Sequence, residues 1–194
     1  MRVILASRND GKLAEISVLL GEEAEVVGLA EHPTLELPPE EAETFQENAL
    51  AKARVVAQAV GEPALADDSG LEVEALGGAP GVRSSRYAGP ACDPRANNAK
   101  LLREMAAYGA GGRGARFVCA AALVAPDGRE WVTRGEVPGQ IALAPRGRRG
   151  FGYDPLFVPA GHDRTFAEMT AAEKNALSHR RRAFDALKKY LAAL

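Results

Sequence analysis

Cysteine is nearly missing from this chain, and its scarcity closes off one class of protein at once. Two cysteines, Cys92 in a polar stretch and Cys119 in an apolar one, cannot build a disulfide framework and suit a reducing, cytoplasmic setting. Histidine is almost as sparse: His32, His162 and His179 are scattered, and no His/Cys cluster has zinc spacing. Any metal is therefore expected to be a hard divalent ion held by oxygen. Long hydrophobic runs are also lacking. Val3-Ile4-Leu5-Ala6 is too short for a signal-peptide core and nothing approaches the length of a membrane span, so no membrane partner is expected. The formal net charge is only −2, which argues against a general nucleic-acid binder and makes any affinity for anions local. There is no low-complexity segment and no solenoid-period repeat. What remains is 194 residues, 46% hydrophobic, which fits a single compact domain over 1–194 burying roughly 70% of its unfolded surface.

The pattern along the chain alternates strands and helices. "RVILAS" reads as a buried strand, 12–20 as a helix stopped by Gly21, and "EVVGL" as a second strand. A Pro- and Glu-rich loop then leads to a long helix from about Thr44 to Val60, with Phe45, Ala49, Ala53, Val56 and Val60 along one face. Next come a strand, a "DDSG" turn and another strand, a Gly-rich loop, and a helix over 94–107. The apolar run 115–125 reads as a buried strand that the "PDG" turn folds into an antiparallel hairpin. Helices follow from about Thr170. This mixture indicates an α/β fold with a mixed sheet flanked by helices.

Three stretches carry possible chemistry. "ASRNDGKL" (6–13) lies where a strand enters a helix, so backbone N–H groups and the positive helix end face any anion in the turn. It falls short of a P-loop, because Ala6 and Leu13 stand where that motif has Gly and a metal-holding hydroxyl. Ser7, Asn9 and Lys12 are its polar groups for phosphate; the competing reading is a turn capped by Asn9 or Asp10. "LADDSGL" (65–71) runs an apolar strand into two adjacent carboxylates, Asp67 and Asp68. Either this is a strand-ending Asp-Ser-Gly turn, or it is a carboxylate site whose repulsion a cation offsets. Magnesium typically takes one or two protein carboxylates, and Asp68 with Glu40 or Glu41 could supply them. "GFGYDP" (150–155) sets aromatics among glycines, which presents a ring face to a flat base or else makes a tight turn with core aromatics. Downstream lie Lys174, His179, Arg180, Arg181 and Arg182. Three arginines near a helix start oppose the macrodipole, so one of them is expected to face a ligand, with Arg181 and Arg182 solvated.

Taken together, Ser7-x-Asn9-x-x-Lys12, "TFQENALAKA", "LADDSGLEVEALGGAPGVRSSRYAG", "GFGYDPLF" and "EKNALSHRRRA" resemble the inosine-triphosphate pyrophosphatase family. They stand in family order and span nearly the whole chain. The resemblance implies an elongated mixed sheet in two lobes, a nucleotide cleft between them, and usually a homodimer. It implies magnesium-dependent hydrolysis of ITP, dITP and XTP to the monophosphate and pyrophosphate.

Carried over by position, the loop Ser7, Arg8, Asn9, Asp10, Gly11 and Lys12 holds the triphosphate, with Arg8 and Asp10 at variable positions. Lys52 is a phosphate-side lysine, Asp68 the catalytic carboxylate and a metal ligand, and Ser69 a substrate contact. Phe151, Gly152, Tyr153 and Asp154 embrace the base, and Lys174, His179 and Arg180 complete its pocket. Glu40 is the second metal carboxylate, although Ala42 stands where a glycine is common.

This agrees with the chemistry of the residues. Attack by water at the α-phosphorus needs phosphate charge neutralised, an activated water and pyrophosphate held as leaving group. Lys12, Lys52 and magnesium supply the positive charge, and Asp68 or Asp67 accepts the proton. The paired aspartates are expected to share one offsetting cation. Two rivals stand beside this reading. One is a pyrophosphatase for another modified nucleotide; the other is a non-catalytic nucleotide-binding module, which leaves "DDSG" without a purpose.

Overall fold

Strands β1 (Arg2–Leu5), β2 (Glu25–Gly28), β3 (Ala64–Val73), β4 (Gly114–Val124), β5 (Glu130–Ile141) and β6 (Phe157–Pro159) share one sheet in a computed structural model. It describes residues 1–194 apart from the side chain of Ala110. The order across the sheet is β2-β1-β3-β4-β5-β6. β1 runs parallel to both β2 and β3, whereas β5 and β6 are antiparallel, so the sheet is mixed. Five helices accompany it: α1 (Asp10–Leu20), α2 (Phe45–Val60), α3 (Pro94–Glu104), α4 (Ala171–Leu177) and α5 (His179–Leu191).

Local sequence explains where the helices begin and end. Asn9 caps α1 by accepting the Lys12 N–H at 3.1 Å, and Thr44 caps α2 by accepting that of Glu47 at 3.2 Å. Gly61 ends α2 in the left-handed region at φ 73°, a conformation that suits a residue without Cβ. Thr170 and Glu173 form a reciprocal capping box at the start of α4.

The chain divides into two compact units. The first comprises Met1–Asp68, Cys119–Gly135 and His179–Leu194. Its core joins Val3 and Leu5 of β1, Ile16, Leu19 and Leu20 of α1, Leu65 of β3, and Ala183, Phe184, Leu187 and Leu191 of α5. Those α5 positions recur at helical spacing and form one apolar stripe. β5 approaches the first turn of α5 so closely that a Cβ on Gly135 would lie 2.2 Å from the His179 carbonyl oxygen. The second unit comprises Ser69–Val118 and Glu136–Ser178. Leu71, Val73, Leu101, Phe117, Phe157 and Phe166 belong to its core, with the Phe117 and Phe157 rings edge-to-face at 4.6 Å between centroids.

Three elements differ from the sequence expectation. The helix expected over 94–107 ends at Glu104 and tightens to a 3₁₀ turn over Met105–Ala107. On the α2 face, Val60 is only partly buried, while Asn48 and Lys52 join the buried set. Most consequentially, "DDSG" is no turn: β3 runs unbroken from Ala64 to Val73. Both aspartates therefore sit in the strand, buried, and their placement sets up the site.

Candidate active site

In a strand, successive side chains point to opposite faces. Asp67 shares a face with Leu65 and meets α1 and α5; Asp68, one residue on, meets α2. The nearest partners of the two carboxylates therefore differ from face to face, although Lys12 and Lys52 act on both.

On the Asp67 side the charges close on themselves. Arg180, at the second position of α5, donates from Nε and Nη2 to Asp67 Oδ2 at 3.2 and 3.0 Å, and from Nη1 to Glu15 of α1. Lys12 Nζ lies 3.0 Å from Asp67 Oδ1. Two cations thus meet two anions, and Arg180 is 2% exposed. Burial alone would raise the Asp67 carboxyl, but Lys12, Arg180 and Lys52 hold it far below the usual carboxylate range. Burial likewise pulls against Arg180, and Asp67 with Glu15 more than offsets it, so the guanidinium is held above its ordinary value. The sequence pattern groups Arg180 with Lys174 at the base end. The guanidinium completes this quartet, which gives an arginine at a helix start a buried structural partner. Arg181 pairs with Asp185 one turn on and is exposed, as expected of a solvated face.

On the Asp68 side the charges do not close. Lys52 Nζ is 2.6 Å from Glu40 Oε1 and 3.9 Å from Asp68 Oδ1, so one ammonium serves two carboxylates. Asn48, one turn earlier in α2, donates Nδ2 to Asp68 Oδ2 at 2.9 Å. Burial is the largest influence on Asp68 and Glu40 adds to it; Lys52, Lys12 and Asn48 pull the other way without prevailing, and the carboxyl is pushed up to about 6. For Lys52, burial acts to lower the ammonium but Asp68, Glu40 and Asp67 raise it overall. Glu40 is half-buried and faces Lys52, whereas Glu41 is exposed, which separates the two candidates.

The two lysines also meet at one backbone atom. β1 pairs with β3 through Ile4–Ala64 and Leu5–Leu65, and the Asp67 carbonyl lies past those rungs. It accepts Lys52 Nζ at 2.8 Å and Lys12 Nζ at 3.3 Å. Around it, the loop from Ser7 to Lys12 is held by its own side chains. Ser7 Oγ accepts the Asn9 N–H at 3.2 Å, and the first-turn amides of Asp10 and Gly11 have no carbonyl one turn back to engage them. Arg8 does not aim into the loop: it donates to the Pro33 and Leu35 carbonyls at 3.1 and 2.8 Å. Ser69 follows Asp68 on β3 and is half-buried, and His179 is buried at the head of α5.

The second unit holds the aromatic segment. Asp154 Oδ2 accepts the Phe151 N–H at 2.9 Å and Lys174 Nζ at 2.7 Å, and Lys174 Nζ lies 4.6 Å from the centroid of the half-buried Phe151 ring. A Cβ on Gly150 would sit 2.0 Å from Asp154 Oδ2, which is why a glycine precedes the aromatic. Tyr153 is a core residue whose hydroxyl donates to the Ser84 carbonyl at 2.8 Å. The Gly152 carbonyl accepts from Asn98 Nδ2 at 3.1 Å. Phe151, Asp154 and Lys174 are therefore brought together. Glu15 and Asn48 are absent from the expected set. Their faint signal is a polar side chain one turn from Lys12 and Lys52 respectively, on a helix face that is otherwise largely apolar.

Two ammonium groups meeting at one carbonyl, beside a capped helix start and a charge-deficient pair of acids, mark an α/β protein equipped for anion chemistry. The family follows from comparison with known proteins: the model of the Ham1 family matches residues 3–190, and the chain belongs to that family. It is 53% identical to the dITP/XTP pyrophosphatase of Nocardia farcinica, covering 100% of this chain and 96% of that protein. Identity to the dITP/XTP pyrophosphatase of Frankia alni is 52%, over 95% of this chain and 94% of the other. Among solved structures, a HAM1 protein from Coxiella burnetii superposes with a TM-score of 0.89 at 42% identity, covering 100% of both chains.

Proposed function

We propose that this chain hydrolyses non-standard purine nucleoside triphosphates (ITP, dITP and XTP) to the monophosphate and pyrophosphate, with residues 1–194 acting as one pyrophosphatase domain. The observation that carries the reading is its chain-long kinship with dITP/XTP pyrophosphatases. The convergence of Lys12 and Lys52 on one point of β3 supports it. In this reading Lys12, Lys52 and the amides of the Ser7–Lys12 loop receive the triphosphate oxygens. Asp68 takes the proton of the water that attacks the α-phosphorus, and the bond to pyrophosphate breaks. Asp67, held strongly ionised, is a poor proton acceptor, and that selects Asp68 between the two.

The donor set fits a magnesium ion. Asp68 and Glu40 offer hard oxygens on either side of the Lys52 ammonium, and magnesium takes one or two carboxylates rather than a full protein cage. When bound, magnesium would neutralise phosphate charge and polarise the phosphoryl oxygens. Phe151 offers a ring face to the base, and Lys174 and nearby N–H groups favour a 6-oxo purine over adenine's 6-amino donor. A donor near carbon 2 accepts xanthine, tolerates hypoxanthine and opposes the amino group of guanine. A cytoplasmic homodimer that binds neither nucleic acid nor membrane completes the proposal. No helix among the described residues is long and apolar enough to cross a membrane.

The test is a panel of triphosphates with pyrophosphate release read directly. kcat/KM for dITP and XTP should exceed that for dATP and dGTP at least about 100-fold. Equal efficiency on dGTP and dITP would overturn the selectivity, and release of single phosphates would overturn the reaction.

A further inference from the structure

Asn48 is 2% exposed and its side-chain amide is used at both ends. Nδ2 donates to Asp68 Oδ2 at 2.9 Å; Oδ1 accepts the Ala42 N–H at 3.0 Å. Ala42 lies two residues after Glu40, on the irregular stretch before the Thr44 cap, and Glu40 in turn holds Lys52, one helical turn along from Asn48. A single buried amide thus links the carboxylate on β3 to the loop that carries the second carboxylate. We infer that Asn48 is a positioning residue: it fixes the Asp68 carboxylate and the Glu40 loop in one arrangement, with both acids directed toward Lys52. An apolar side chain of the same size would fill the space and release both groups. Asp68 could then rotate about its terminal torsion, and the loop would lose its tie at Ala42.

The inference rests on the metal-assisted hydrolysis proposed above, so its test reads metal binding apart from turnover. Mn2+ serves as the probe, titrated by electron paramagnetic resonance against nucleotide-free protein. Asn48→Ala should weaken Mn2+ binding at least about fivefold, and kcat for dITP should fall about tenfold with KM changed less than about threefold, the scale on which supporting partners of ligands act. Asn48→Leu, near-isosteric, carries the same test should the alanine variant not fold. Asn97→Ala is the control for a merely structural effect. Asn97 is likewise a buried amide used at both ends, but by backbone alone: it accepts the Ala88 N–H and donates to the Ser85 carbonyl. It should lose melting temperature while binding Mn2+ as the wild type does. Wild-type Mn2+ affinity and kcat in the Asn48 variants would overturn the inference, as would Mn2+ affinity falling in step with melting temperature in both amide variants. A wild-type protein that binds Mn2+ but leaves dITP intact would instead contradict the proposed function, leaving the Mn2+ comparison to decide the role of Asn48.

Discussion

Asp67 and Asp68 are neighbours in one strand, both buried, and chemically opposite. Asp67 faces Lys12 and Arg180 and is held ionised; Asp68 shares Lys52 with Glu40 and is pushed up to about 6. Burial penalises both charges, Asp67 even more than Asp68, so the opposite outcomes come from their partners: Arg180 and a close Lys12 at Asp67, against a Lys52 shared with Glu40 at Asp68. One face is a closed quartet of two cations and two anions. On the other, the Lys52 ammonium is shared between Asp68 and Glu40. A buried carboxylate that is fully paired is built into the fold, while one left short of cations is ready to take a proton or a metal. Under the proposed hydrolysis, the comparison gives structure to one aspartate and chemistry to the other.

The harshest break of that contrast is Asp67→Asn. It takes from the 2%-exposed Arg180 one of its two carboxylates, leaving Glu15, and breaking a buried pair from one side costs about 3–5 kcal/mol. Chemical denaturation should show a loss of that order; a stability within about 1 kcal/mol of wild type would mean the quartet is not structural.

A smaller effect separates the two by pH, in metal-free protein. For Asp67 the folded value lies below the unfolded one, so its stabilisation is present above the normal carboxylate range and is lost as pH falls. For Asp68 the folded value lies above, so its contribution is complete below that range and is lost as pH rises through about 6. Relative to Asp68→Asn, the wild type should lose on the order of 1–3 kcal/mol between pH 4 and pH 8, and added Mg2+ should flatten that limb. Parallel unfolding curves for the two proteins across that range would remove the asymmetry.

Smaller again is Lys12→Ala, which tests whether a member of the closed face also serves substrate. kcat/KM for dITP should drop about tenfold, equivalent to ~1.4 kcal/mol, with binding of inosine monophosphate little changed. An unaltered kcat/KM would leave Lys12 to Asp67 alone.

Much of this arrangement is legible in the residues. Asn9 before a helix and Lys12 within its first turn, Thr44 with Glu47, and the apolar face of α2 all act locally, and local signals survive in sequence. The continuous β3 was hidden by its composition, because Asp-Ser-Gly favours a turn when the buried cations that make a strand acceptable are out of view. Those cations come from far along the chain: Arg180 is 113 residues from Asp67 and 165 from Glu15. No spacing rule links such positions, so Arg180 is grouped by sequence with its near neighbour Lys174. Asn48 was obscured differently, since an asparagine in a helix commonly faces water and only the tertiary fold buries it against Asp68.

The division of labour on β3 is tested most directly by Asp68→Asn, with dITP turnover measured at saturating Mg2+ and the melting temperature of the same preparation measured without metal. The substitution removes a carboxylate whose ionised form burial disfavours, so the melting temperature should stay at or above that of wild type. Turnover should fall at least about 100-fold, because proton acceptance and metal holding are lost together. A variant that melts normally and retains near-wild-type kcat would contradict the assignment of the chemistry to Asp68.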